Sequence, residues 1–141
     1  MKTYIKVALF FVLFIAVAGI LAGLYFYNLK HTDMSKAKPD FVLTSSAVQK
    51  EFEENETTSS AKYINKILEI TGSIISVSTG KDNSATVSLK TDNDMSSVSC
   101  TFPAVSDPSA FKPGDNITLR GQCSGFLIDV QMFNCALVKT K

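Results

Sequence analysis

The chain has 141 residues, with 14 Lys and Arg against 13 Asp and Glu, three Cys, one His and no Trp. This balance of charge excludes a polybasic nucleic-acid binder, and the length excludes more than one small domain beside a membrane segment. Residues 1–30 carry three of the basic side chains and no acidic ones, so residues 31–141 hold 11 basic against 13 acidic side chains and are slightly acidic.

The N-terminal segment is dominated by an apolar run from Val7 to Tyr27. These 21 residues contain no charged side chain, and about 20 apolar residues are enough to cross the hydrocarbon core of a bilayer as a helix. Tyr25, Phe26 and Tyr27 close the run with rings of the kind that lie at the level of the headgroups. The pattern predicts a single transmembrane helix that makes residues 1–30 a membrane anchor.

A cleaved signal peptide is the alternative interpretation of this segment. Lys2 and Lys6 would supply its charged start, and Ala16-Val17-Ala18 fits a cleavage site of small residues. The apolar run continues past Ala18, however, and a mature N-terminus would expose the remainder. No Cys lies near the end of the run, so the lipid-attachment cysteine of bacterial lipoproteins is missing there. These observations favour an uncleaved anchor.

The orientation of the anchor follows from the short tail in front of it. Basic residues lie in nearly equal number on the two sides of the run, so their bias does not decide the orientation. A tail of six residues ordinarily stays in the cytoplasm. We therefore predict a single-pass protein of the bacterial inner (cytoplasmic) membrane, with its C-terminal domain outside the cytoplasm.

Residues 31–40 show no apolar periodicity and predict a linker between the anchor and a domain over residues 41–141. Leu43, Val48 and Phe52 then recur near helical spacing and predict a short helix. A helix of this length is not stable by itself in water, so it must pack on a larger body.

That body is predicted to be a small barrel of five strands. Apolar and polar side chains alternate in five segments, which cover residues 67–78, 85–90, 97–102, 117–123 and 130–137. The first segment is long and changes phase near Ile75, as a bulged strand does, and a second bulge is expected near Asn134. Little helix is expected between the third and fourth strands. This order is typical of an OB-fold. The predicted fold is thus all-β with short helices, a five-stranded OB-fold barrel preceded by a single N-terminal transmembrane helix.

Three strings of residues carry a resemblance to a known family. They are Tyr63 to Gly72, Val98 to Phe102, and Pro113 to Cys123. Over residues 41–139 the chain resembles the bacterial tRNA-anticodon-like OB-fold family, which consists of small envelope-associated proteins of unknown function. The resemblance implies the OB barrel and an envelope location. It implies no catalytic or ligand-binding residue, because the family name records only a likeness of fold to anticodon-binding domains.

The sequence offers no catalytic or metal-binding motif. His31 is the only histidine and lies in the predicted linker, which excludes His-based catalysis and a His-containing metal site within the barrel. Asp92-x-Asp94-x-Ser96 begins like a calcium loop, but Ser97 stands where that loop needs glycine. We predict that the protein is not an enzyme and has no catalytic residues, no cofactor and no metal.

The three cysteines are all expected to face the barrel interior. Cys100, Cys123 and Cys135 have spacings that match no zinc motif. Outside the cytoplasm one pair could form a disulfide, and Cys123 with Cys135, on the last two strands, is the predicted pair. The alternative is three reduced thiols that pack as small apolar residues.

The predicted surface argues against nucleic acid as a ligand. OB barrels that bind single strands stack bases on aromatic rings of the second and third strands and hold phosphates with basic side chains. Here the outward positions of those strands are Thr86, Ser88, Lys90, Ser97, Ser99 and Thr101. Phe126, between the last two strands, is the one aromatic residue predicted to be exposed for binding. Because the domain is slightly acidic, its binding would also release few counterions from a nucleic-acid backbone.

The predicted function is a membrane-anchored, extracytoplasmic OB-fold binding module, non-enzymatic, for an unknown protein or glycan partner in the cell envelope. The first alternative is an OB domain that binds single-stranded nucleic acid or tRNA. The second is a subunit that acts through its membrane helix, because Ala16, Gly19 and Gly23 form a stripe of small residues. The sequence predicts no oligomeric state.

Overall fold

The structure, a computed structural model, describes residues 2–28, 33–103, 105 and 107–140. The chain divides into an N-terminal unit and the domain that follows it. The N-terminal unit is one helix, α1, over Lys2–Asn28. By length and composition α1 is able to cross a membrane. His31, the histidine of the predicted linker, lies outside the described residues.

The domain is a barrel with one extra strand and three short helices. In chain order its elements are β1 (Phe41–Thr44), α2 (Ser45–Glu54), α3 (Glu56–Tyr63), β2 (Ile67–Thr79), β3 (Ala85–Lys90), β4 (Ser97–Phe102), a 3₁₀ helix (Pro108–Ala110), β5 (Asn116–Phe126) and β6 (Val130–Thr140). The strand order is β1-β2-β3-β4-β6-β5, and a further pairing of β2 with β5 closes the barrel. This confirms the predicted five-stranded OB-fold, to which β1 is added.

Strand β1 is the element that the sequence did not predict. Phe41 to Thr44 run parallel to Leu68 to Thr71 of β2. The spacing of Leu43, Val48 and Phe52 predicts a helix that already includes Leu43, so this part of the prediction is wrong. The helix begins only at Ser45, where the hydroxyl of Thr44 accepts a hydrogen bond from the amide of Ala47 at 3.2 Å and caps α2. The partner strand lies 27 residues away, so the local pattern could not reveal the pairing.

Both predicted bulges are present. The register of β2 against β3 shifts between Ile74 and Ser76, and Asn134 in β6 has a φ of 51°, in the left-handed region. The bulge turns Cys135 into the core as expected. Leu137, two residues further along β6, keeps 38% of its surface exposed. It lies beyond Met132, the last residue of β6 that pairs with β4, so no strand covers it on that side.

The hydrophobic core fills the barrel and continues under the two helices. Val48 and Phe52 of α2 and Tyr63 at the end of α3 are buried. The ring of Tyr63 meets the ring of Phe41 edge-on, with 5.0 Å between centroids. Tyr63 therefore closes one end of the barrel. The barrel interior itself is filled by Leu68, Ile70, Ile74, Val87, Leu89, Val98, Cys100, Ile117, Leu119, Cys123, Val130 and Met132.

Much of the predicted linker packs as part of the domain. Met34 is buried, with 5% of its surface exposed. Arg120 on β5 donates from Nη1 to the backbone carbonyls of Ser35 and Ala37, both at 3.0 Å. An apolar side chain and two backbone groups therefore hold this segment to the barrel. The sequence does not predict this packing, because one methionine among polar residues makes no periodic apolar pattern.

Candidate binding face of the barrel

The outer surface of β2, β3, β4 and β6 carries a continuous set of hydroxyl and amide side chains. Ser88 lies opposite Ser99 in the β3–β4 ladder, and Ser99 is aligned with Gln131 of β6. The hydroxyls of Thr86 and Thr101, on the same ladder, lie 3.4 Å apart. We call this surface the polar face; its members are Ser76, Ser78, Thr86, Ser88, Ser97, Ser99, Thr101 and Gln131.

The polar face exists because side chains alternate between the two sides of a strand. Val87 and Leu89 of β3 and Val98 of β4 point inward and are fully buried. Their neighbours along each strand must then point outward, as the alternation in the sequence predicted. The outward position of each predicted residue of the second and third strands is confirmed by the burial pattern of β3 and β4.

An aromatic ring that the sequence analysis did not single out borders this face. Phe133 lies two residues after Gln131 on β6 and pairs with Gln122 of β5. Its exposed fraction is 42%. The alternation along β6 indicates this position, because Val130 and Met132 face inward and Gln131 and Phe133 must then face outward. Phe133 gives the polar face one apolar contact surface among hydrogen-bonding groups.

Phe126, the aromatic residue predicted to be exposed for binding, is instead half-buried. Its ring stacks on the ring of Phe52, with centroids 5.2 Å apart and planes inclined by 18°. Strand β5 continues through Phe126, which pairs with Val130 of β6, so the residue is not in a loop. Helix α2 lies at this end of the barrel and supplies the stacking partner, a tertiary contact between residues far apart in sequence.

Few cations lie on or near the polar face. Lys90 is exposed at the end of β3. Arg120, the single arginine of the chain, is occupied elsewhere: its Nε donates to the carboxylate of Glu69 at 2.7 Å, and its Nη1 donates to two carbonyls of residues 33–40. The polar face thus presents hydrogen-bonding groups with little positive potential to attract phosphates.

A polar cleft of about 310 Å³ lies between α2 and the loop that joins β3 to β4. Its polar groups already have partners within the domain. The carboxylate of Glu53 accepts hydrogen bonds from Gln49, Asn93 and Ser96, and these bonds, first that of Gln49, lower the pKa of Glu53. The hydroxyl of Ser46 donates to the carboxylate of Asp92 at 2.9 Å. The cleft is therefore a junction that fixes the loop to the helix.

All three cysteines are buried free thiols in the structure. The Sγ of Cys100 donates to the backbone carbonyl of Val98 at 3.8 Å, and the neighbouring thiol of Cys135, together with burial, raises the pKa of Cys100 well above its usual range. Burial also raises the pKa of Cys123. The contact thus joins Cys100 and Cys135, on β4 and β6, rather than the predicted partners. A Cys123–Cys135 disulfide is not formed here and stays a prediction.

The ionisable groups of the described part of the chain form small pairs rather than a reactive cluster. No group of three or more His, Cys, Asp or Glu side chains within the described residues could hold a metal ion. The carboxylate of Glu51 accepts hydrogen bonds from the hydroxyl of Tyr63 at 2.7 Å and from Nζ of Lys62 at 2.9 Å. These bonds lower the pKa of Glu51, while burial raises that of Tyr63.

Comparison with known families agrees with this architecture. The model of the tRNA_anti-like family matches residues 1–137. No curated protein matches the chain in sequence.

Two solved structures are similar to the chain. The first is a lipoprotein of Klebsiella pneumoniae subsp. pneumoniae MGH 78578 to which nucleic-acid binding is ascribed. The TM-score is 0.58 at 19% identity, over 69% of this chain and 91% of that chain. The second is a protein of Leishmania major Friedlin assigned as an aspartyl-tRNA synthetase, with a TM-score of 0.44 at 8% identity, over 78% of this chain and 22% of that one. The likeness to the lipoprotein shows a shared fold.

Proposed function

Because the chain belongs to the tRNA_anti-like family, we propose that it is a membrane-anchored OB-fold binding module without catalytic activity. Its polar face would hold an uncharged protein or glycan partner in the cell envelope. The observation that carries this proposal is the composition of that face, which combines seven hydroxyl side chains and one amide with the half-exposed ring of Phe133.

The chemistry of the polar face suits a neutral partner better than a charged one. Hydroxyl and amide groups both donate and accept hydrogen bonds, and an aromatic ring packs against the apolar side of a sugar or of a side chain. Binding of a nucleic-acid backbone would need several cations to displace its counterions. The face has Lys90 at its edge, and Arg120 is held by Glu69. The Klebsiella lipoprotein shares the fold at 19% identity, too little to carry over its ascribed ligand.

We place α1 across the inner membrane, with the barrel outside the cytoplasm. The helix has the required length and hydropathy, and the short tail ahead of the apolar run favours this orientation. Protease treatment of intact spheroplasts tests the placement, with lysed spheroplasts as the control. We expect the barrel to be digested without lysis. Digestion only after lysis would put the barrel in the cytoplasm and overturn the envelope role.

A photoreactive amino acid on the polar face would test the partner directly. Ser99 lies at the centre of the face, opposite Ser88 and aligned with Gln131; Lys112, exposed in the loop between β4 and β5, is the matched control off the face. In whole cells we expect an adduct with an envelope protein or glycan from position 99 and none from position 112. Equal adducts from both positions, or adducts with nucleic acid alone, would contradict the proposal.

A binding titration distinguishes the proposed function from the nucleic-acid alternative. The full chain, reconstituted in nanodiscs, is titrated with fluorescently labelled single-stranded RNA and DNA at low salt. We expect no saturable binding, because the residues described on and beside the polar face offer one cation, Lys90, and one exposed ring, Phe133. Micromolar binding that weakens steeply with salt would show that the phosphate backbone is recognised after all.

A further inference from the structure

Three apolar side chains stand out on the surface of the described part of the domain. Met95, Leu127 and Ile128 are exposed by 87%, 84% and 71%, more than any other large apolar side chain described there. Met95 lies in the loop between β3 and β4, and the other two lie in the turn between β5 and β6. We call these three residues the apolar tip. Exposed side chains of this type carry a free-energy cost in water that a contact surface would remove.

The two loops of the apolar tip are bound to each other. Strand β4 begins at Ser97, whose amide donates to the carboxylate of Asp129 at 2.7 Å. Ser97 lies two residues after Met95, and Asp129 directly follows Ile128. This hydrogen bond therefore holds the two loops together at one end of the barrel.

Side chains of helix α2 bind the same two loops through hydrogen bonds. Gln49, with 1% of its surface exposed, donates from Nε2 to the carbonyl of Ile128 at 2.9 Å and accepts at Oε1 from the amide of Val130 at 3.2 Å. Glu53 holds Asn93 and Ser96 on the other loop. The turn is thus anchored through buried hydrogen bonds while its two apolar side chains point into solvent. This arrangement presents the apolar side chains without loss of loop order on binding.

The chain enters the barrel at this same end. The amide of Ile67, the first residue of β2, donates to the carboxylate of Asp40 at 2.9 Å. Phe41, which follows Asp40, packs against Tyr63, and Tyr63 contacts Phe52, the residue that stacks on Phe126 at the end of β5. The turn with Leu127 follows directly from β5. The end of the barrel that receives the N-terminal segment is therefore the end that carries the apolar tip.

Chain length limits how far this end can lie from the anchor. Met34 is already buried in the domain, and α1 ends at Asn28. A fully extended chain across those positions spans about 20 Å. A segment of this length is short enough for the domain to reach the bilayer that α1 would cross. A lipid surface is then the apolar partner within reach.

We propose that the apolar tip inserts into the interfacial layer of the bilayer that holds α1, a role that rests on the proposed anchor. The ligand is the boundary between headgroups and acyl chains of uncharged phospholipids. Asp92 and Asp94, in the same loop as Met95, disfavour an anionic surface. Insertion fixes the barrel on the membrane, while the polar face lies along the side of the barrel and stays accessible to its partner.

Tryptophan fluorescence tests the insertion, because the chain contains no Trp. The full chain with Leu127→Trp is reconstituted in vesicles of phosphatidylcholine and phosphatidylethanolamine, with and without bromine on the acyl chains. Lys81→Trp is the matched control, since Lys81 is exposed in the turn between β2 and β3 at the opposite end of the barrel. We expect brominated lipid to reduce the emission of the Leu127→Trp variant about twofold and that of the control hardly at all.

The outcomes separate the tip from the anchor. Flotation of the chain with the vesicles reports on α1 alone. Flotation with equal quenching at positions 127 and 81 would overturn lipid insertion and leave the tip open to a protein partner. Failure to float would overturn the anchor and the insertion together. Met95→Trp provides a second reporter on the other loop, and we expect its quenching to match that of Leu127→Trp.

Discussion

A Cβ atom on Gly121 would lie 2.5 Å from Sγ of Cys135, so the thiol occupies the space that a side chain on β5 would fill. The same Cβ would lie 3.2 Å from the carbonyl oxygen of Phe133 and 3.3 Å from Cε of Met132. The bulge at Asn134 turns Cys135 inward at this point. The glycine of one strand and the bulge of the next therefore act together to let β5 and β6 pack closely.

The first prediction concerns this contact. Gly121→Ala should destabilise the barrel by roughly 1–3 kcal/mol, because the added methyl group overpacks a site enclosed by backbone and sulfur. Urea unfolding of the full chain in detergent micelles would measure the change. Adding Cys135→Ala to Gly121→Ala should recover part of the loss, since it removes the sulfur that the methyl group meets. A double variant that loses the full sum of the two single changes would show that the clash is with the backbone of Phe133 instead.

The second prediction concerns Arg120, which joins the barrel to residues 33–40. Arg120→Met should cost about 1–3 kcal/mol, because it removes hydrogen bonds of a charged donor to Glu69 and to the carbonyls of Ser35 and Ala37. Amide hydrogen exchange should rise most in residues 33–40. Lys36→Gln is the control; its ammonium and the carboxylate of Asp33 form an exposed pair at 3.8 Å, and exposed pairs contribute little. Unchanged exchange in residues 33–40 of the Arg120→Met variant would show that Met34 alone holds the segment.

The third prediction concerns acid stability. The hydroxyl of Tyr63, and then Nζ of Lys62, lower the pKa of Glu51 below its ordinary value of 4.5 in the folded state. A lowered pKa contributes stability that is fully present above about pH 4.5 and is lost as the pH falls through the lowered folded value. Tyr63→Phe keeps the ring but removes the principal hydrogen bond. Its deficit in unfolding free energy should therefore be largest near neutral pH and shrink in acid.

A series of unfolding curves between pH 7 and strongly acidic pH would measure this dependence. Glu54→Gln is the matched control on the same helix, because its carboxylate lies 3.9 Å from Nζ of Lys50 in an exposed pair. We expect that change to alter stability little at any pH. If the deficit of Tyr63→Phe stayed constant as the pH fell, the ring contacts and not the charge of Glu51 would be responsible.

The fourth prediction concerns thiol chemistry. The contact with Cys135 and burial raise the pKa of Cys100, and burial raises that of Cys123, so these two thiols carry little thiolate at neutral pH. Alkylation of the native chain should be very slow at all three cysteines. In denaturant without reductant we expect all three thiols to be labelled. Labelling of a single thiol would reveal a disulfide, and peptide mapping would then distinguish Cys123–Cys135 from Cys100–Cys135.

The predictions that the structure confirms rest on patterns among residues close together in the sequence. The apolar run that forms α1 and the alternation along β3 and β4 are both properties of consecutive residues. The inward positions of Val87 and Val98, and hence the outward hydroxyls beside them, follow from a period of two. The outward position of Phe133 follows from the same argument. The phase changes at Ile75 and Asn134 were also visible, because a bulge shifts the alternation by one residue.

What the tertiary structure decided depends on contacts between distant parts of the chain. The sequence determined the apolar helix, the barrel strands and which of their side chains face outward, since each depends on neighbouring residues. It did not determine that Phe41 to Thr44 form a strand, that Phe126 stacks on Phe52, or that Arg120 holds residues 33–40. In each of these cases the same local pattern fits two conformations, and the free energy of a contact formed only in the folded barrel selects one of them.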